Sequence, residues 1–513
     1  MTERAASADI PPRAADGDND KAMTAHQAAP AAASGSKLPH ELDDRQRSLA
    51  FFTVLTAVVL EVADTTIVNT ALPAIRDGLG ASPAAMQWIV AGYLLTLGSL
   101  LLLGGRLGDA FGHRRLFLSG VASFVAASAL CGLAPTPGVL VLARVLQGAA
   151  GAMMGPQTMA IVQLLYTPLE RVKRLAFFGM IIGLAAIVGP IIGGFLIELN
   201  LFGLGWRLIF LINLPVGLFA LAMGRITLPR TGEEHRGLAI DLAGAALFAL
   251  GFGLILFALI QAHENLGPAA AAAIFAGGLG AVMLGVRRSI ARRSAGLPAM
   301  VEPTLFALPT FRYGVIAAMA FNSGSVGFLM IFAVALQQGL ALTPLKTALI
   351  HIPFGLGVMV AVGLLVPRLL PRMGRLLPMV GGMLMAVGIV STLALIHAAV
   401  AGGALLIATL ALAGIGFGTL SGPLGPIAVS EVPRTHAGTA SATMRTAQQL
   451  GGALGIALVG SAYFAVGGHD AAARLAGLVP GAIMVAALLS IAVVAVSRLP
   501  ATLFGAERKP AAD

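Results

Sequence analysis

Cysteine is almost absent from this chain. Its single thiol, Cys131, lies inside an apolar run, which excludes an intramolecular disulfide and a cysteine-ligated metal cluster. Charge is scarce as well: Asp, Glu, Lys and Arg make up 11% of 513 residues, against 57% hydrophobic ones. Soluble domains carry roughly a quarter charged residues, and with a mean hydropathy of +0.89 a water-soluble globule of this length is excluded. No zinc, P-loop or nucleophile-elbow pattern is present, so the sequence offers no enzyme chemistry. The amino terminus lacks the leading apolar core of a cleaved signal peptide.

What is present is a series of apolar runs, at about 50–72, 87–105, 116–134, 138–163, 175–197, 207–225, 239–260, 267–286, 313–337, 347–367, 376–398, 402–427, 440–466 and 476–497. These predict fourteen transmembrane helices and an all-α polytopic membrane protein. The 402–466 region is the least sharply bounded, because Gly and Ala are dense there. The net charge of +10 is spread over loops and tails and forms no nucleic-acid stripe. With the amino terminus inside and every run spanning, inside segments hold 24 Lys and Arg, counting Arg445 at a helix end, and outside loops hold four. A miscounted helix would invert that bias, so it supports fourteen spans with both termini cytoplasmic. Residues 1–48 read as a disordered tail, 49–228 as a six-helix bundle, 229–300 as an inserted helix pair with flanking loops, 301–498 as a second six-helix bundle and 499–513 as a tail. The outer loops are short and show no evident docking surface.

Two carboxylates stand where they are costly. Glu61 and Asp64 lie near the middle of the first run, one turn apart on one face. An ionised carboxylate at that depth costs at least ~2.5 kcal/mol, so this face must look into protein or water. Asn69 and Pro73 follow and predict a helix loosened near its outer end. Arg144, read as the one basic residue deep in a span, lies ~9 Å below the outer edge and Asp64 ~12 Å. The match in depth makes Asp64 or Glu61 its partner. A positive partner at Asp64 would favour its ionised form and leave Glu61 the carboxylate that exchanges a proton.

The loop between the second and third runs reads Gly105-x-Leu107-x-Asp109-x-x-Gly112-x-Arg114-Arg115. Leu107 and Gly112 have counterparts in Leu369 and Gly374 between the tenth and eleventh runs, a sign of internal duplication. Further motifs are Asp64-x-Thr66-Ile67-Val68-Asn69-x-Ala71-Leu72-Pro73, Arg144-x-x-Gln147-Gly148, Gly189-Pro190-x-x-Gly193-Gly194, Trp206-Arg207 with Phe210 and Asn213, and Gln449 to Gly455. Together these resemble the major facilitator superfamily, and within it the fourteen-span drug/proton antiporter branch.

The resemblance implies two six-helix bundles plus an inserted pair, and export of amphipathic or cationic small molecules in exchange for protons, with no cofactor. It also implies a bacterial cytoplasmic membrane and action as a monomer; a periplasmic adaptor serves some members of the branch but is not indicated by these outer loops. It implies proton coupling at Asp64, Glu61 and Arg144. It implies conformational gating by Gly105, Asp109, Gly112, Arg114 and Arg115, with the glycines making a tight turn. Gly189, Pro190, Gly193 and Gly194 would form the antiporter motif. Glu61, Asn69, Gln337 and Gln338 are candidates for lining a substrate cavity. His351 and His397 read as structural. A dedicated exporter of one metabolite or antibiotic, and a channel or receptor-like membrane protein, remain as rival readings.

Overall fold

Every apolar run becomes a helix, and most helices run beyond the run that predicts them. The computed structural model describes residues 42–229, 240–262, 266–466 and 470–500. The expected tails lie mostly outside the described residues, although helix begins within the first of them, at Asp44. The helices are α1 (Asp44–Leu79), α2 (Pro83–Phe111), α3 (His113–Gly132), α4 (Pro137–Leu165), α5 (Pro168–Leu199), α6 (Gly205–Thr227), α7 (Leu242–Gln261), α8 (Pro268–Ser294), α9 (Pro309–Gly339), α10 (Pro344–Met373), α11 (Leu376–His397), α12 (Ala404–Ala428), α13 (Ala437–Phe464) and α14 (Ala471–Ser497). Thirteen are apolar enough to cross a membrane by composition. The fourteenth, α13, has 28 residues but is diluted by Gly, by Ser, Thr and Arg445 in its first half, and by the pair Gln448–Gln449.

The extra length comes from polar caps set outside the apolar stretch. Asp43 and Gln46 form a reciprocal capping box at the start of α1, and Ser82, Thr136, Thr343 and Asp470 each accept a backbone N–H in the first turn of the next helix. The loosening expected at Pro73 is not seen. α1 continues to Leu79, with Asn69 to Pro73 buried by neighbouring helices, and stops at Gly80 in a left-handed conformation.

The duplication is visible in the packing. In the first half α2 packs on α4, α3 on α4 and α6, and α1 on α5 and α6. In the second half α10 packs on α12, α11 on α12 and α14, and α9 on α13 and α14. Adding eight to each number in the first list gives the second. The matched glycines repeat the relation. Gly112 (φ +89) is the one-residue joint between α2 and α3, and Gly374 (φ +53) ends α10 just before α11. A β-carbon is disfavoured at such φ values. Gly105, expected in the turn, lies inside α2. Its neighbours Gly104 and Gly108 make the close contacts, against the Ala152 carbonyl and the Gln157 side chain.

The halves meet along two related seams, α2 on α13 and α5 on α10, with α1 against α9 between them. The inserted pair lies over one of these seams: α7 touches both α2 and α13, with the Trp88 and Phe257 rings 6.4 Å apart and the Ser461 hydroxyl donating to the Leu259 carbonyl at 2.9 Å. Fourteen crossings place the start of α1 and the end of α14 on one face, here called the terminal face. The other is the opposite face.

Asp241 ties the inserted pair together on the terminal face. It accepts from the Gly244 N–H at the start of α7 (3.0 Å) and from Arg288 on α8 (2.9 Å). Burial pushes its carboxyl up. The hydrogen bonds from Arg288 and Gly244 and the charges of Arg288 and Arg292 outweigh this and hold it below the usual carboxylate value. A depressed value contributes stability that is fully present above the unfolded value of about 4 and is lost as pH falls through the folded one. Asp241→Asn should therefore lower thermal stability at pH 7, and the gap from wild type should close below about pH 4. A pH series of melting curves on both proteins checks this, and a gap constant with pH contradicts it.

Candidate functional site

The middle of α1 carries two charged groups that the fold treats differently. Asp64 is fully satisfied inside the first half. Its Oδ2 accepts from Arg144 Nη1 of α4 at 2.5 Å, and its Oδ1 accepts from Gln147 Nε2 of α4 and Asn213 Nδ2 of α6, each at 2.9 Å. Arg144 also donates to the Ile89 carbonyl (3.1 Å) and to Gln147 Oε1 (2.6 Å), and its guanidinium lies 4.1 Å from the centre of the Tyr93 ring. Ser128 of α3 accepts from both Gln147 and Asn213. All of these side chains are buried. Helical spacing sets the arrangement: Arg144 and Gln147 are three residues apart and share a face, and Gly148 beside them packs on the Tyr93 backbone, where a β-carbon would come within 2.3 Å of the carbonyl oxygen.

Glu61 turns elsewhere. Its Oε1 accepts from Arg445 Nη2 of α13 at 2.9 Å, an ion pair between the two halves, and its Oε2 is buried without a hydrogen-bond partner. Gly155 of α4 leaves room for the pair, lying with its β-position 3.4 Å from both charged groups. Arg144 is thus not the one basic residue deep in a span. Arg445 sits eight residues into α13, about 12 Å along its axis, and keeps a side chain 34% exposed. It was counted among the loop charges because Ala, Ser and Thr precede it, which leaves the apolar run no sharp start; removing it from that count leaves the charge bias intact. Asn213, Gln147, Ser128 and Tyr93 are the other members that charge alone could not identify. The first two stand out as amides within apolar runs.

On the opposite face the halves are joined directly. Gln337 donates to the Thr70 carbonyl (2.8 Å), Arg76 to Gln338 Oε1 (2.7 Å), and the Leu345 N–H at the start of α10 to Glu198 of α5 (3.1 Å). The amides of Gln337 and Gln338, expected to line a cavity, are engaged in this seal. The glycines of the helix 5 motif allow it. Gly189 and Gly193 face α1, where a β-carbon would lie 2.6 Å from Thr66 Oγ1 and 2.3 Å from Ile67 Cγ1. Gly194 faces α10, where it would lie 2.7 Å from the Leu345 backbone. Pro190 lines a small cavity with Asn69 and His351. Two further glycines of α5, Gly179 and Gly183, lie nearer the terminal face and meet no neighbour among the described residues.

The segment between α2 and α3, expected to gate, lies on the terminal face. Asp109 is half exposed, with His113 Nε2 3.8 Å away, and Arg114 donates to the Arg225 carbonyl at the end of α6 (2.7 Å). Arg115 belongs to the first turn of α3. Cys131, near the end of α3, is fully buried and donates to Gln147 Oε1 at 3.6 Å. Among the described residues no three His, Cys, Asp or Glu side chains come together as a metal site.

Two duplicated helical bundles with charged pairs buried among apolar helices define a multi-pass membrane protein. The profile of the Major Facilitator Superfamily matches residues 54–456, and the chain belongs to that superfamily, which makes it a transporter rather than an enzyme. It is 36% identical over 433 residues to a probable actinorhodin transporter of Streptomyces coelicolor, covering 84% of this chain and 75% of that one. It is 34% identical over 480 residues to a puromycin resistance protein of Streptomyces alboniger, covering 92% and 93%. Among solved structures, a bacterial homologue of the human lysosomal transporter Spinster superposes with a TM-score of 0.62 at 16% identity, covering 89% of this chain and 98% of that one, a likeness of fold.

The close approach at Gly194 is directly testable. A Gly194→Val side chain would meet the Leu345 backbone and hold the opposite-face seam apart. A thiol at Thr70→Cys should then react with a membrane-impermeant maleimide about tenfold faster, the ratio that a bias of about 1.4 kcal/mol produces. An unchanged rate would mean that Gly194 does not set the seam.

Proposed function

We propose that this chain is a proton-coupled exporter of amphipathic and cationic compounds, working by alternating access in the cytoplasmic membrane with its terminal face in the cytoplasm. The observation that carries this reading is the Glu61–Arg445 ion pair, the charged contact between the halves at the level of the membrane centre. A proton on Glu61 removes its negative charge, and a cationic substrate competes with Arg445 for it. Either event releases the halves from one another. The empty, ionised carrier is held in place and the loaded one is free to rock, which gives exchange without an ATP site. Asp64 plays a different part. Its three donors lie within one half and move with it as a rigid unit, so it orients Arg144 and the α1–α4 packing on which Glu61 depends.

Several features support the reading. The opposite face is sealed, whereas Arg445 keeps a third of its side chain exposed, as in a carrier open toward the terminal face. The bias of Lys and Arg favours a cytoplasmic terminal face. Exposed Asp109, with Gly112, Arg114 and Arg115, is in a position to engage the second half when the terminal face closes. The relatives include proteins named for one antibiotic and others named for multidrug efflux. A carrier dedicated to a single antibiotic is therefore the second reading, and a compound panel separates the two.

Proton flux in proteoliposomes, with a pH gradient and a panel of cationic and neutral compounds, tests this. Wild type should move protons in step with compound. Glu61→Gln should lose the pH dependence of transport and lose export of cations more than of neutral compounds. Asp64→Asn leaves Arg144 buried and unpaired at a cost of about 3–5 kcal/mol and should reduce export of both. Compound flux indifferent to the pH gradient in wild type would point to a channel and overturn the proposal.

A further inference from the structure

Between the central ion pair and the opposite-face seal lies a cavity of about 40 Å³ that none of the roles above accounts for. It is bounded by α1 and α5 of the first half and by α9 and α10 of the second. Three buried polar atoms in its lining have no hydrogen-bond partner among the described residues: Asn69 Oδ1, Thr347 Oγ1 and His351 Nε2. Buried polar atoms are nearly always paired, so three around one cavity need a reason.

Their orientation is fixed from behind. Asn69 commits its Nδ2 to the Thr65 carbonyl (3.3 Å), which leaves the carbonyl oxygen for the cavity. The His351 ring is held between Phe354, stacked at 4.7 Å, and Phe332 at 5.5 Å. The remaining walls include Pro190 and Leu329, and no Lys, Arg, Asp or Glu lines the space. The set is one fixed amide acceptor from the first half, with a hydroxyl and an imidazole nitrogen from the second. Such a set suits a neutral hydrogen-bond donor, and the volume suits a single O–H or N–H group with no ring attached inside it.

We propose that this cavity is a donor-recognition subsite for the exported compound, acting together with Glu61. The inference rests on the exporter reading and narrows it. Thr66 and Asn69 stand five and eight residues beyond Glu61 on α1, about 8–12 Å along the helix. A compound whose cationic centre meets Glu61 places its far end at the cavity. The preferred substrates are therefore amphipathic cations that carry a hydroxyl or amine hydrogen about 8–12 Å from the charge. Because the subsite draws on both halves, it comes apart when the opposite face opens, so the same motion that exposes the compound also releases its far end.

Two lipophilic cations of one skeleton separate donor recognition from charge recognition. Hydroxyhexyl-triphenylphosphonium, with its hydroxyl at the chain end, holds an O–H group at that distance from the charge when extended, and hexyl-triphenylphosphonium has no N–H or O–H group. Transport of each is measured in proteoliposomes with wild type, Asn69→Leu, Thr347→Val and Thr347→Ser. The ratio of hydroxylated to plain cation transport should fall about five- to tenfold in Asn69→Leu and in Thr347→Val, the loss of one buried hydrogen bond. Thr347→Ser, which keeps the hydroxyl, should hold the wild-type ratio. A ratio within about twofold of wild type in both of the first two variants overturns the subsite. So does a wild-type protein that moves the plain cation but not the hydroxylated one. A wild-type protein that moves neither cation overturns the subsite as well, while the exporter reading is decided separately by proton flux with the compound panel.

Discussion

A charge at the centre of a bilayer must have a partner, and the rest of this structure follows from how two carboxylates three residues apart on α1 find theirs. Asp64 is answered within its own half by Arg144, Gln147 and Asn213. Glu61 is answered from the other half by Arg445. The first arrangement locks α1, α4 and α6 into one body. The second links two bodies through a contact that one proton can cancel. Removing a partner from a buried pair costs several kcal/mol, so the fixed pair is suited to structure and the cross-half pair to switching.

Around this centre the halves pack on each other through two close seams. The seams α2–α13 and α5–α10 are copies of one another by duplication. Both use small residues: Gly98 against Leu450 and Gly452 against Leu94 on one side, Gly194 against Leu345 and Gly355 against Ile187 on the other. Without side chains in the way, backbones come close, and packing rather than hydrophobic drive holds them. Polar contacts finish the seal at the opposite face, where Gln337, Gln338 and Glu198 meet their partners. The inserted pair covers the α2–α13 seam on the lipid side through α7 and leaves α5–α10 without such a cover.

Much of this was legible in the sequence, for identifiable reasons. Hydrocarbon thickness sets helix length, so fourteen apolar runs read out as fourteen helices. Charge placement constrained their count. Asp64 and Arg144 match in depth, and each stands out in an apolar run, where desolvation singles out a charge. Arg445 does not, since the start of α13 is polar enough to resemble a loop. The direction in which a side chain points was also out of reach. Helical spacing puts Glu61 and Asp64 on one face, but only the packed helices show that one turns to α4 and the other to α13. Gln337 and Gln338 give the same lesson: amides near a helix end fit a cavity wall or a gate equally well until the facing helix is in place. The loop motif puts Gly105 in a turn, whereas the turn needs only Gly112, and helical packing is served by Gly104 and Gly108.

The central claim is that the ionised Glu61–Arg445 pair holds the opposite face closed. Spin labels at Phe202→Cys, between α5 and α6, and Val400→Cys, between α11 and α12, report the separation of the halves on that face, while Cys131 stays buried and unlabelled. Double electron–electron resonance across a pH series, on this background with Glu61 intact or replaced by Gln, measures the claim directly. With Glu61 intact, the long-distance population should be small at high pH and grow on acidification. With Gln at position 61 it should be large at every pH. A pH response of equal size in both proteins would contradict the account and place the switch elsewhere in the molecule.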